Sequence, residues 1–178
     1  MDLILLSGNS YSHREWIEEV AQKLAPLFDN THIQYYRHWQ TGGDVILMDY
    51  EIGQLEVLAN SVTDYLVFAK SAGTLLTLRA IYEGFFEPKQ CILVGVPIAW
   101  ARAHSFDIDT WSKGYDVPTL YIQKSLDPAM HFDDLKLYIE EQKIKNKQVV
   151  ELEGSSHYYG ELDLLKELIE QFIIFPKH

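Results

Sequence analysis

A single cysteine in 178 residues, Cys91, leaves no partner for an intrachain disulfide, so the fold has to be held by packing rather than cross-links. The thiol lies inside the apolar run Cys91-Ile92-Leu93-Val94, where a small buried hydrophobe is expected rather than a nucleophile. Basic residues are scarce too: 15 Lys and Arg stand against 26 Asp and Glu, for a formal net charge of −11. Nucleic-acid binding needs a basic stripe that displaces counterions from phosphates. The only Lys-dense run, Lys143 to Lys147, reads instead as a solvated helix end, and nucleic acid is excluded as a partner. No apolar run approaches the ~18 residues that cross a bilayer. Met1-Asp2 and the four apolar residues after it lack the basic leader and length of a secretory signal. A soluble, cytoplasmic protein with no membrane partner is expected. His104, Asp107 and Asp109 form the only cluster of metal-ligating types, without the spacing of a metal site, so neither metal nor cofactor is expected.

What the chain does have is hydrophobic content, 47%, enough for one sizeable core. No repeat, low-complexity tract or linker divides it, so residues 1–178 read as a single domain. Short apolar runs bounded by turn residues predict strands: Leu3–Leu6, Thr31–Tyr36 near an edge, Tyr65–Ala69, Cys91–Val94, Thr119–Gln123 and Gln148–Leu152. Helical spacing predicts helices over Ser12–Leu27, with Ser12 and Glu15 as a capping box, and over Ile52–Val62. The same spacing predicts Ala72–Tyr82, stopped by Gly84, then Phe132–Ile144 and Leu162–Phe175. Residues 98–114 read as irregular and suited to a small cap. Strands alternating with helices imply right-handed crossovers and a mostly parallel six-stranded sheet in a three-layer α/β/α sandwich. In such a fold ligands sit beyond the carboxyl ends of the strands, so chemistry should come from the residues just after each one.

Three turns carry suitable groups. After the third strand comes Lys70-Ser71-Ala72-Gly73, where a serine opens a helix and the small Ala69 and Gly73 allow close strand–helix approach. The same serine is open to a plain reading as a helix N-cap. After the fifth strand comes Lys124-Ser125-Leu126-Asp127-Pro128, and after the sixth Glu153-Gly154-Ser155-Ser156-His157. A serine needs a base to take its proton, and the base needs an acid to fix its tautomer. Alone, Asp127 is an ordinary Asp-Pro turn and His157 an ordinary loop histidine. Together they complete the chain order Ser…Asp…His of a nucleophile-elbow hydrolase.

With these turns, and with Leu5-Leu6-Ser7-Gly8-Asn9-Ser10 followed by Ser12-His13…Trp16, the sequence resembles the α/β-hydrolases. The likeness is to the small YdeN-type and retinoblastoma-binding serine hydrolases in particular. It covers the whole chain in layout and is specific at four turns. It implies a minimal α/β-hydrolase fold with Ser71 as nucleophile, Asp127 as acid and His157 as base. The oxyanion hole would come from the Ala72 N–H and an N–H within Gly8-Asn9-Ser10, and the substrate would be a small acyl compound, a carboxylic ester or thioester. The pattern departs at Ala69, where G-x-S-x-G has its first glycine, and at Lys70 and Lys124. Lys70 reads as a surface lysine or as a cation beside the site that favours an anionic substrate group.

His38 and Trp39, just after the second strand, and Trp100, after the fourth, are further candidates for lining the pocket, with Trp111 as a second apolar wall. The first turn lacks both G-x-G-x-x-G and G-x-x-x-x-G-K-[ST], which argues against a flavodoxin-like nucleotide binder. The stronger rival keeps the fold and the three residues but works as a partner-binding module, with Tyr158 and Tyr159 as surface contacts.

Overall fold

The structure, a computed structural model, describes residues 1–174. Its strands are β1 (Asp2–Leu6), β2 (Thr31–Gln34), β3 (Tyr65–Lys70), β4 (Cys91–Val94), β5 (Thr119–Lys124) and β6 (Lys147–Leu152). The helices are α1 (His13–Leu24), α2 (Arg37–Thr41), α3 (Met48–Ala59), α4 (Ala72–Glu83), α5 (Ile98–Ala103), α6 (Ile108–Trp111), α7 (Phe132–Glu141) and α8 (Leu162–Ile174). A 3-10 turn, Ala25–Leu27, extends α1.

All six strands are parallel, in the order β2-β1-β3-β4-β5-β6. Every residue of β3, β4 and β5 is buried, as parallel strands covered on both faces must be. The half-exposed β2 and β6 are the edges. Alternation along the strands sorts the core into two layers. Leu3, Leu5, Leu66, Phe68, Ile92 and Ile122 face α1 and α8. Ile4, Leu6, Val67, Ala69, Leu93 and Tyr121 face the α3, α4 and α7 side. Strand order reverses between β1 and β3, so the loop after β1 and the turn after β3 flank one crevice at the carboxyl edge.

Several local expectations are corrected. Ser12 precedes α1 but makes no side-chain cap bond; its hydroxyl and N–H are engaged with Ser10 Oγ instead, so the capping box does not form. Helix α3 starts at Met48, four residues before the predicted start, because Asp49 and Glu51 suit the positive N-terminal turn. Residues 98–114 are not irregular: α5 and α6 bury Ile98, Ala101 and Ile108 against the core, and Trp111 packs there too. Lys143 to Lys147 is a turn and the start of β6, since α7 ends at Glu141. Phe175, the predicted end of the last helix, lies outside the described residues. No described helix is long and apolar enough to cross a membrane.

Candidate active site

The turn after β3 is the most constrained backbone in the crevice. Ser71 has φ 53° and ψ −118°, a region costly for any residue with a Cβ, on the order of 1–3 kcal/mol. Neighbours hold it there. The Ser71 N–H donates to Val94 O at 3.0 Å, and Thr74 donates to Ser71 O through both its N–H (2.8 Å) and its hydroxyl (2.7 Å). The Gly73 N–H donates to Ser7 O at 2.9 Å, which pulls the start of α4 against the end of β1. A Cβ on Gly73 would lie 2.5 Å from Leu6 O and 2.8 Å from Ser7 O, both backbone atoms that cannot step aside. Gly73→Ala should therefore destabilise the fold by about 1–3 kcal/mol and lower the melting temperature by several degrees. An unchanged calorimetric midpoint would show that the close approach is not needed.

Ser71 occupies the N-cap position of α4, yet its hydroxyl does not cap the helix. Its Oγ lies 2.8 Å from His157 Nε2, across 86 residues of sequence. His157 Nδ1 in turn lies 2.8 Å from both carboxylate oxygens of Asp127, which is completely buried. Asp127 Oδ1 also accepts the Ala129 N–H at 2.8 Å, and Oδ2 the Tyr159 hydroxyl at 2.7 Å. Burial alone would raise the Asp127 pKa. The hydrogen bond and charge of His157, then the Tyr159 and Ala129 donors, overcome it and hold the carboxyl below its ordinary value. Tyr159 is not a surface contact, unlike the exposed Tyr158: it is fully buried, and its oxygen accepts the Lys124 N–H at 3.0 Å while its proton goes to Asp127. Gly95, at φ 60°, makes room for this assembly, since a Cβ there would meet Tyr159 Cε2 at 2.8 Å and His157 Cε1 at 3.1 Å.

Across the crevice, the Asn9 turn is pinned at three atoms. Asn9 Nδ2 donates to Asp44 O (2.7 Å) and its Oδ1 accepts from the Ile46 N–H (2.7 Å). Its carbonyl oxygen takes His38 Nε2 at 2.7 Å and Trp39 Nε1 at 2.8 Å. His38 and Trp39 thus brace the turn from behind and do not line the crevice. The cavity above Ser71, about 480 Å³, is walled by Asn9, Ser10, His13, Pro97, Trp100, Pro128, Ala129 and His157. Trp100 takes the predicted lining position; Gly8 and Lys70 are absent from the wall. Lys70 is not a surface lysine either, being 1% exposed. Among the described residues no cluster suited to a metal ion occurs: Asp109 is paired with Arg102 at 2.8 Å, and His104 stacks on Trp100. Sequence reasoning gave Gly95 no role, placed His13 only in the resemblance at the first helix, and took Tyr159 for a surface contact. The only signal for Tyr159 is its place two residues beyond His157.

No family model matches the sequence, and no curated protein does. Solved structures do match the fold. Est1E from Butyrivibrio proteoclasticus, with ferulic acid bound, superposes with a TM-score of 0.75 at 16% identity over 97% of this chain and 88% of that one. The chain has the α/β-hydrolase fold. An α/β serine hydrolase homologue from Coxiella burnetii matches with a TM-score of 0.72 at 19% identity, over 95% of this chain and 83% of that one. A protein described as YdeN-like, from Pectobacterium atrosepticum, matches at 0.64 and 17% identity, over 98% and 92%. The resemblance in layout over the whole chain thus holds for the fold.

Proposed function

We propose that this α/β-hydrolase-fold protein is a serine hydrolase acting on carboxylic esters or thioesters through an acyl-enzyme. The observation that carries the reading is the strained Ser71 with its Oγ 2.8 Å from His157 Nε2, while Nδ1 of the same ring rests on buried Asp127. His157 Nε2 takes the Ser71 proton as Oγ attacks the acyl carbon, and Asp127 fixes the tautomer and stabilises the imidazolium. The N–H groups of Ser71 and Gly73 are committed to Val94 and Ser7, which leaves the Ala72 N–H, an orphan donor of the first helical turn, for the oxyanion. The second donor comes from the pinned turn, where Asn9 and Ser10 line the cavity. His157 then protonates the leaving group, and water enters by the same path to release the acid.

A fluorophosphonate probe tests this directly. A phosphonylated Ser71, located by peptide mass spectrometry, is expected; an intact protein without an adduct would favour the partner-binding module. Tyr159 is assigned as a positioning residue that acts through Asp127. Tyr159→Phe removes the hydrogen bond to the buried Asp127 charge and the acceptor of the Lys124 N–H, and should lower kcat about tenfold to hundredfold with little change in KM. Equal kcat in the variant would remove Tyr159 from the machinery.

A further inference from the structure

Two buried lysines flank the site, and they are treated differently. Lys124 donates to Tyr158 O at 2.7 Å and is neutralised by Glu161 at 2.9 Å. Lys70 has no ion-pair partner among the described residues. As the last residue of β3 it follows Leu66 and Phe68 onto the α1 face, where its Nζ lies 3.2 Å from His13 Nε2 and 6.0 Å from the Trp16 ring centroid. Burial lowers its pKa to about 8, with only the more distant Asp127 charge opposing. Burial, then Lys70 and His157, push His13 down to about 4. At neutral pH the pair therefore holds one proton too many for a neutral core, with Lys70 donating to an uncharged imidazole. His13 is also part of the cavity wall beside Ser71, so the charge sits one ring behind the pocket. Leaving an ammonium unpaired in the interior is costly. No carboxylate lines the cavity to answer it.

We propose that the Lys70–His13 pair makes this pocket selective for esters that carry a carboxylate. The inference rests on the hydrolase reading. The substrate's anion supplies, from the pocket side, the close counter-charge that the distant Asp127, already engaged by His157 and Tyr159, does not. It acts through His13 at a range where a partly desolvated pair is worth a factor of ten or so. The overall charge of −11 works against any anionic substrate, so a preference of this kind has to come from a local cation.

Three esters of similar shape test the inference: phenyl valerate, monophenyl glutarate with its carboxylate on the acyl side, and 4-valeryloxybenzoate with it on the alcohol side. At pH 7 at least one anionic ester should exceed phenyl valerate in kcat/KM by about tenfold, and which one tells the side of the anion. The ratio should fall toward one in Lys70→Met. In the wild-type protein it should fall as pH rises through about 8, because Lys70 then loses its charge; His13 and Trp16 are neutral there, and Asp127 and His157 face all three esters alike. That titration needs no variant to fold. Phenyl valerate consumed as fast as both anionic esters would overturn the inference alone. If none of the three is consumed, the hydrolase reading falls and takes it along.

Discussion

Ser71→Ala should reduce p-nitrophenyl acetate turnover by at least about 10³-fold, and toward 10⁶-fold if proton transfer and attack act as one unit. Removing the Oγ takes away the proposed nucleophile while leaving Asp127, His157 and the proposed oxyanion donors in place. The residual rate then measures what those donors do for direct attack by water. The variant should fold well, since alanine fits the same turn and the hydroxyl makes no helix-capping bond. Alanine meets the same backbone strain at φ 53°, so Ser71→Gly should be the more stable of the two inactive forms. Turnover above a tenth of wild type in a well-folded Ser71→Ala protein would end the nucleophile assignment.

The order of elements was legible because it depends on local patterns. Continuous apolar runs such as Leu3–Leu6 and Cys91–Val94 can only be buried on both faces, and their alternation with amphipathic segments leaves a covered parallel sheet as the economical solution. The sheet-edge rule then selected Ser71, Asp127 and His157, which the fold brings within hydrogen-bonding distance. Single-residue readings at the same turns were not rivals in every case. Asp127 is an ordinary Asp-Pro turn, its Oδ1 bonded two residues on to the Ala129 N–H, and it also holds His157.

What escaped the sequence is what depends on side-chain direction. His38 and Trp39 follow a strand, as pocket residues do, but a short helix turns both rings onto the Asn9 carbonyl. Tyr159 looked exposed beside Tyr158 because a loop carries no periodicity; its burial depends on the hole left by Gly95. Lys70 was undecidable from composition. Its parity on β3 fixes the face it points to, but only the position of α1 decides that the face is closed and that His13 waits there.

The largest remaining effect concerns a change of one atom. Asp127→Asn should lower kcat by about 10⁴-fold, with a stability loss of about 1–3 kcal/mol because the buried Tyr159 O–H loses its acceptor. The Ala129 N–H fixes the amide oxygen at the Oδ1 position, since a second donor there would face a donor. The NH₂ group then takes the Oδ2 position, where the Tyr159 hydroxyl, already accepting from Lys124, can accept from it as well. His157 Nδ1, equidistant at 2.8 Å from both positions, now meets a donor as well as an acceptor. The tautomer that satisfies the NH₂ carries its proton on Nε2, pointing it at Ser71 Oγ, and a ring that donates to the serine cannot take its proton. ¹⁵N spectra of labelled histidine should show the Nδ1-protonated form in the wild-type protein and the Nε2-protonated form in Asp127→Asn. A variant that switches tautomer yet keeps more than a tenth of the wild-type kcat would show that His157 is not the base.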